Sequence, residues 1–314
     1  MKATKVLLLG AGPMAVEYAK VLDHLGIDFS VKGRGAESAK KFQARTGKAP
    51  LLSWGEVDEV ASFTHCIVAV SEESLLDVTL ELAMQGANNI LVEKPGAPSI
   101  EDMGHKASAL TAAGLQIYIA YNRRYYKIIE ILLDYIKLDG GITSIHFDFS
   151  ERSRVVGELT KAPGVKENWL FHNSTHVLDL VLYISNGAEI DTALSASSLP
   201  WHPSGSRFSG VGKTSTGGLL TYNSDWESPG GWEILVRTKY TRLQLKPLET
   251  LAVTRSSGEK ETFEEKYLSN PLYKFGILEM VKDFLIPVPS SRLLSVRDQL
   301  QHLKSFYKIG RGSS

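Results

Sequence analysis

A doubly wound parallel α/β domain, followed by an α+β domain with an open, largely antiparallel sheet, is the architecture expected from this sequence. Three patterns point to it. Through about residue 120, short apolar runs alternate with amphipathic helical stretches. The first of those runs ends in a glycine-rich turn that opens a helix. Beyond about residue 190, helical spacing gives way to longer strand-like alternation.

The elements follow in order. Lys5 to Leu9 is a continuous apolar run, as a parallel strand buried on both faces requires. Gly10 to Ala15 leads into a helix through about Leu25, which Gly26 stops. Asp28 to Val31 reads as a strand and Ala36 to Arg45 as a helix. Cys66 to Val70 is the next strand, and Leu75 to Gln85 a helix with Gly86 beyond it. Ile90 to Val92, a helix from Ile100 to Ala113 and a strand from Gln116 to Ala120 complete the series. Helix Lys127–Leu138 then leads to a strand at Ile142–Phe149, and a further helix covers Thr175 to Ile184. Strand-like runs at Leu219–Asn223, Trp232–Thr238 and Thr241–Lys246 mark the second sheet. The Ser- and Gly-rich loop Pro200–Ser215 reads as a mobile flap. Pro271–Ile309 is helical, broken in two at Ile286–Ser290. The domain limits expected are 1–121 and 122–314, with the last helices, about 271–309, returning to the first domain.

Composition narrows the function. The 314 residues carry a formal net charge of +0, which gives no electrostatic support for nucleic-acid or membrane binding. No apolar run reaches the length of a membrane span, and the N-terminus reads as the first strand and not as a signal peptide. One cysteine, Cys66, excludes an internal disulfide and suits a reducing, cytoplasmic setting. No His, Cys and carboxylate cluster has metal-ligand spacing, so no metal is expected.

Gly10-Ala11-Gly12-Pro13-Met14-Ala15 fits G-x-G-x-x-G/A. The first glycine permits the turn, and the second lets a pyrophosphate approach the backbone. A small residue at the last position allows close helix–strand packing. Phosphate is favoured by the N–H groups and dipole of the helix that follows. About twenty residues on, Val31-Lys32-Gly33-Arg34 lacks the acid that binds the ribose hydroxyls of NAD. Lys32 and Arg34 instead suit a 2′-phosphate, so NADP is expected over NAD.

A second motif, Val92-Glu93-Lys94-Pro95, closes a later strand. Proline removes an N–H and drives the residue before it out of the helical region, so Lys94 is expected to be extended at a sheet mouth. Two further segments are Ala120-Tyr121-Asn122-Arg123-Arg124-Tyr125 and His176-Val177-Leu178-Asp179. Together with the glycine turn, these segments resemble the Gfo/Idh/MocA oxidoreductases, the glucose–fructose oxidoreductase and inositol dehydrogenase family, along essentially the whole chain. The resemblance implies a Rossmann domain, an open mixed sheet that commonly serves as an oligomer interface, and hydride transfer at a carbinol or carbonyl of a sugar or nucleotide-linked sugar. A homodimer or homotetramer would form through that sheet.

By the same resemblance Lys94 and His176 are catalytic, and His172, which stands at the family's third catalytic position, is the candidate to relay a proton. Lys94 would bond the substrate hydroxyl and the nicotinamide ribose, its charge stabilising an alkoxide. His176 is expected in the first turn of a helix that starts at Ser174 or Thr175. The dipole there disfavours the charged imidazole and suits it to act as a base. Asp179, three residues on, shares its helix face and would fix its tautomer or pin the helix. Many family members carry aspartate where this chain has His172, so the proton path departs from the family pattern. Cofactor contacts are expected from Gly10, Gly12, Pro13, Met14, Ala15, Lys32, Arg34, Ser71, Glu93, Lys94 and Asn122. Arg123 and Arg124 suit an anionic substrate, and Trp169 either stacks on a sugar or packs in the core. Two alternatives stand beside this reading: a reductase of a non-sugar carbonyl or pigment, like biliverdin reductase, and a catalytically inactive NADP-binding regulator.

Overall fold

The computed structural model describes residues 3–52, 60–112, 114–286 and 291–313. By contacts the chain divides into two compact units. One comprises Met1–Asn122 and Pro271–Leu300, the other Arg123–Asn270 and Gln301–Ser314.

In the first unit the order is β1 (Lys5–Leu9), α1 (Pro13–His24), β2 (Asp28–Lys32), α2 (Ala36–Thr46), β3 (His65–Val68) and α3 (Leu75–Met84). Then come β4 (Asn89–Glu93), α4 (Ile100–His105), α5 (Ala107–Leu110) and β5 (Gln116–Ala120). Strands β1 to β5 are parallel in the spatial order β5-β4-β3-β1-β2. Val6, Leu7 and Leu8 are fully buried, which is why the first strand reads as an unbroken apolar run. Chain order reverses beside β1, and in sheets of this kind ligands bind at the carboxyl ends of the strands next to that switch.

Two expectations for this unit change. The single helix expected over Ile100–Ala113 is two short ones, because Lys106 leaves the helical conformation at φ −95°, ψ 7°; Ala113 lies outside the described residues. Leu51, not expected in a strand, makes an isolated parallel bridge with Lys32 and extends the sheet past β2.

The second unit begins with α6 (Lys127–Leu138), β6 (Ser144–Phe149), α7 (Ser153–Glu158) and α8 (Thr175–Ile184). Strands β7 (Ala188–Ala196), β8 (Arg207–Thr214), β9 (Leu219–Asp225) and β10 (Trp232–Arg237) follow. After them come β11 (Thr241–Leu245), β12 (Thr250–Arg255), β13 (Lys260–Glu264) and the short α9 (Glu265–Leu268). The eight strands run β13-β12-β11-β10-β6-β9-β8-β7, antiparallel except where β6 pairs with β9. Exposed and buried residues alternate along β9, the signature of a sheet covered on one face.

The flap expected at Pro200–Ser215 is largely strand β8, paired on both sides. Its glycines serve close packing and not mobility. A Cβ on Gly212 would lie 2.0 Å from the Glu189 carbonyl oxygen, and one on Gly210 2.5 Å from the Thr192 carbonyl oxygen. The pairing of β7 with β8 shifts register between Ile190 and Thr192, and glycine is what lets the irregular strand approach.

The chain ends with α10 (Ile277–Leu285), β14 (Leu294–Ser295) and α11 (Val296–Arg311). The break expected at Ile286–Ser290 falls mostly on 287–290, outside the described residues. Two-residue β14 pairs antiparallel with β5 and adds an edge to the first sheet. A strand so short leaves no periodicity to read in sequence.

Candidate functional site

The glycine turn has two different reasons for its glycines. Gly10 sits at φ +117°, and a Cβ there would lie 2.1 Å from the Ala69 carbonyl oxygen, so the turn itself demands glycine. Its N–H donates to the Lys32 carbonyl at 2.7 Å, closing the turn onto β2. Gly12 has an ordinary φ of −84°, and a Cβ there would meet nothing within 4 Å. The protein's own packing therefore does not demand glycine at 12, and the space above it is open to an approaching group. Pro13 occupies the first helical position, where no N–H is needed, and Met14 and Ala15 stand in the first turn with N–H groups that have no intrahelical partner. The turn fits the phosphates of a dinucleotide.

The two cations expected for a 2′-phosphate part company. Arg34 is exposed, and its guanidinium donates to the Ser74 hydroxyl at 3.0 Å. Lys32 is buried, 5% exposed, as the last residue of β2. The Ser71 hydroxyl donates to Glu73 at 2.6 Å, in the same 71–74 turn that holds the partner of Arg34.

Glu93 ends β4, and the Lys94–Pro95 peptide is cis. The Tyr18 hydroxyl donates to Glu93 at 2.6 Å. Burial pushes the Glu93 carboxyl up, and the pull of Tyr18, Lys274 and Lys94 offsets this only in part. Lys274 was not expected here. It follows the second domain's strands in sequence, yet its ammonium donates to the Met14 sulfur at 3.1 Å in the first unit. Asn122 is buried, and its amide donates to the Phe275 carbonyl at 2.9 Å, so this side chain anchors the segment that carries Lys274.

In the second unit, His172 and His176 lie on consecutive turns. The helix does not start cleanly at Ser174 or Thr175 as expected. A π-helical turn, Leu170–Ser174, runs directly into α8. Ser174 has helical backbone angles and makes no cap: its hydroxyl donates to Glu151 at 2.8 Å. The Thr175 hydroxyl bonds back to the Phe171 carbonyl at 2.7 Å. With a preceding turn in place, the argument from an open helix end at His176 does not hold. Helical turns of this wider kind are frequent at functional sites.

Glu151, missed in the sequence, is the hub of this region. It is buried and accepts from Ser174 and, through both oxygens, from the Asn173 amide at 3.1 Å. Burial pushes its carboxyl up, opposed by Ser174, Asn173 and the indoles of Trp169 and Trp232. The Trp169 indole approaches Glu151 without reaching hydrogen-bond geometry. Trp232 also faces His176, with ring centroids 6.0 Å apart, and carries the Arg123 guanidinium 5.0 Å over its ring. Arg123 reaches Glu249 at 3.3 Å as well.

Arg124, Asp179 and Trp169 are each engaged within the second unit. Arg124 is buried and grips both oxygens of Asp179, at 2.8 and 2.6 Å. Burial alone would raise the Asp179 carboxyl, but Arg124 and His302 more than offset it and hold it below the usual aspartate value. Asp179 therefore answers Arg124, which pins the helix. Trp169 is buried edge-to-face against Trp201, which stacks on Trp226; the indole packs in an aromatic core.

Among the described residues no three His, Cys, Asp or Glu side chains gather as a metal site needs, and no helix is long and apolar enough to cross a membrane. The Cys66 thiol is pushed up to about 12 by burial.

No family model matches the chain, and no curated protein does. Solved structures share its fold from end to end. A dehydrogenase from Clostridium difficile superposes with a TM-score of 0.77, at 16% identity over 98% of this chain and 99% of that one. UDP-N-acetylglucosamine 3-dehydrogenase from Acidithiobacillus ferrooxidans gives 0.73, at 14% identity over 99% and 97%. An inositol dehydrogenase homologue from Azotobacter vinelandii, complexed with NAD+, gives 0.75, at 13% identity over 98% and 95%. The two-sheet fold described above is that of these oxidoreductases.

Proposed function

We propose that the chain is an NADP-dependent oxidoreductase of the glucose–fructose oxidoreductase and inositol dehydrogenase family, acting at a carbinol or carbonyl of a sugar or nucleotide-linked sugar. One observation carries the reading. A glycine turn with an unexplained glycine at 12 and the Glu93-Lys94-Pro95 motif lie at the same edge of one parallel sheet. Structural neighbours that act on UDP-N-acetylglucosamine or resemble inositol dehydrogenase favour a polyhydroxylated ring as substrate.

In this reading the first-turn N–H groups of Met14 and Ala15 hold the pyrophosphate. Arg34, backed by Ser74, takes the 2′-phosphate, and the Glu93 carboxylate, steadied by Tyr18, accepts from ribose hydroxyls. When bound, the nicotinamide supplies the hydride acceptor or donor. Lys94 places a positive charge where an alkoxide develops. His176 takes the hydroxyl proton, with His172 one turn away to pass it on. Arg123, spread over Trp232, is the cation for an anionic substituent such as a nucleotide diphosphate. The chain assembles as a dimer or tetramer through the uncovered face of the second sheet, where Leu194, Val211 and Leu219 are 64%, 49% and 62% exposed.

Titration with NADPH and NADH, then a screen of sugars and nucleotide sugars for absorbance change, tests the reading. NADPH is expected to bind tighter, and Lys94→Ala to lower turnover by about 10²–10⁴. Tight NADPH binding without turnover on any substrate would replace the enzyme by a nucleotide-binding regulator.

A further inference from the structure

The segment before α10 folds onto the glycine turn of the same unit. Tyr273 lies against His24 of α1, with ring centroids 5.2 Å apart, and the Phe275 carbonyl is held by Asn122. Between them Lys274 extends its ammonium to the Met14 sulfur at 3.1 Å, and its charge reaches Glu93. Lys274 is therefore pinned from both sides, beside the first turn of α1 and the end of β4. A thioether is a weak acceptor for a three-donor cation, and the ammonium remains solvent-exposed.

We infer that Lys274 is a ligand of the dinucleotide's pyrophosphate and nicotinamide-ribose half, closing the glycine turn with a positive charge supplied from the far end of the chain. Two observations converge on it. The turn presents N–H donors and an open approach over Gly12, both suited to an anion. Lys274 adds a full positive charge at the residue next but one, Met14, where those donors begin. The inference rests on the dinucleotide reading above. It also separates two duties. Arg34, two residues past β2, reads the 2′-phosphate and sets the choice of NADP over NAD. Lys274 serves a part common to both nucleotides and affects affinity without affecting that choice.

Fluorescence titrations of the full chain with NADPH, NADH and adenosine 2′,5′-bisphosphate distinguish these duties. Lys274→Ala is expected to weaken NADPH and NADH by the same factor, about tenfold, and to weaken the bisphosphate, which keeps only the adenosine-side phosphate, by less. Lys274→Arg should restore most of the loss. Wild-type affinity should fall more steeply with salt than that of Lys274→Met, which keeps the bulk of the side chain without its charge. Unchanged affinity in Lys274→Ala and Lys274→Met would overturn the assignment, as would a loss confined to NADPH. A wild-type chain that binds neither dinucleotide would instead overturn the reading on which the assignment rests.

Discussion

Arg34 and Lys32 show how neighbouring residues of like charge diverge once the chain folds. Both were expected beside a 2′-phosphate, but only Arg34 is exposed. Arg34→Ala should weaken NADPH about 10- to 100-fold in a binding titration and leave NADH within a factor of two or three. Lys32→Ala would then act through stability and not through the NADPH to NADH ratio. Glu151 gives a second prediction. Its carboxylate holds Asn173 and Ser174, the two residues between His172 and the turn of His176. Glu151→Gln keeps the shape and removes the charge; turnover should fall about tenfold or more while NADPH affinity stays the same. Equal loss of both would assign Glu151 to folding alone. The carboxylate was illegible in sequence because it stands twenty-two residues before Asn173, with no motif around it.

Elements were easiest to read where one physical rule dominated. Parallel strands buried on both faces have to be apolar throughout, and so β1, β4 and β5 stood out. The amphipathic helix α6 has the bounds expected from its spacing, and α8 ends where expected. Strand β8 was misread because its glycines carry two meanings, freedom in a loop or close approach in a sheet. The difference is measurable. Gly212→Ala forces a Cβ against the Glu189 carbonyl oxygen and should cost about 1–3 kcal/mol in chemical denaturation. Gly12→Ala meets no protein atom and should cost less than about 1 kcal/mol, yet lower dinucleotide affinity at least tenfold. If both variants are destabilised alike, with binding intact in Gly12→Ala, the glycine turn has no ligand role.

At the scale of the folded chain, Arg124 and Asp179 bind a residue following the first sheet to a helix of the second unit's core. Removing one partner strands a buried charge, so Arg124→Met should cost about 3–5 kcal/mol, and the double variant Arg124→Met/Asp179→Leu should recover much of it. The sign of the pH dependence follows from the lowered Asp179 carboxyl. Its stabilisation is complete above the ordinary aspartate value of the unfolded chain. It disappears as pH falls through the lower native value. Melting temperature measured from pH 7 downward should fall in that acid range in the wild type, and fall less in the double variant. For the proposed assembly, Leu219→Arg should shift sedimentation toward the monomer without changing the far-UV spectrum; an unchanged mass would place any interface elsewhere.

Local rules in the amino-acid order sufficed for the parallel sheet and its glycine turn, since each depends on neighbours a few residues apart: apolar periodicity and a tight turn. They did not reach Lys274, Glu151 or the pairing of Arg124 with Asp179. Those depend on residues brought together from 22 to 260 positions apart, whose burial and partners exist only once the chain has closed on itself.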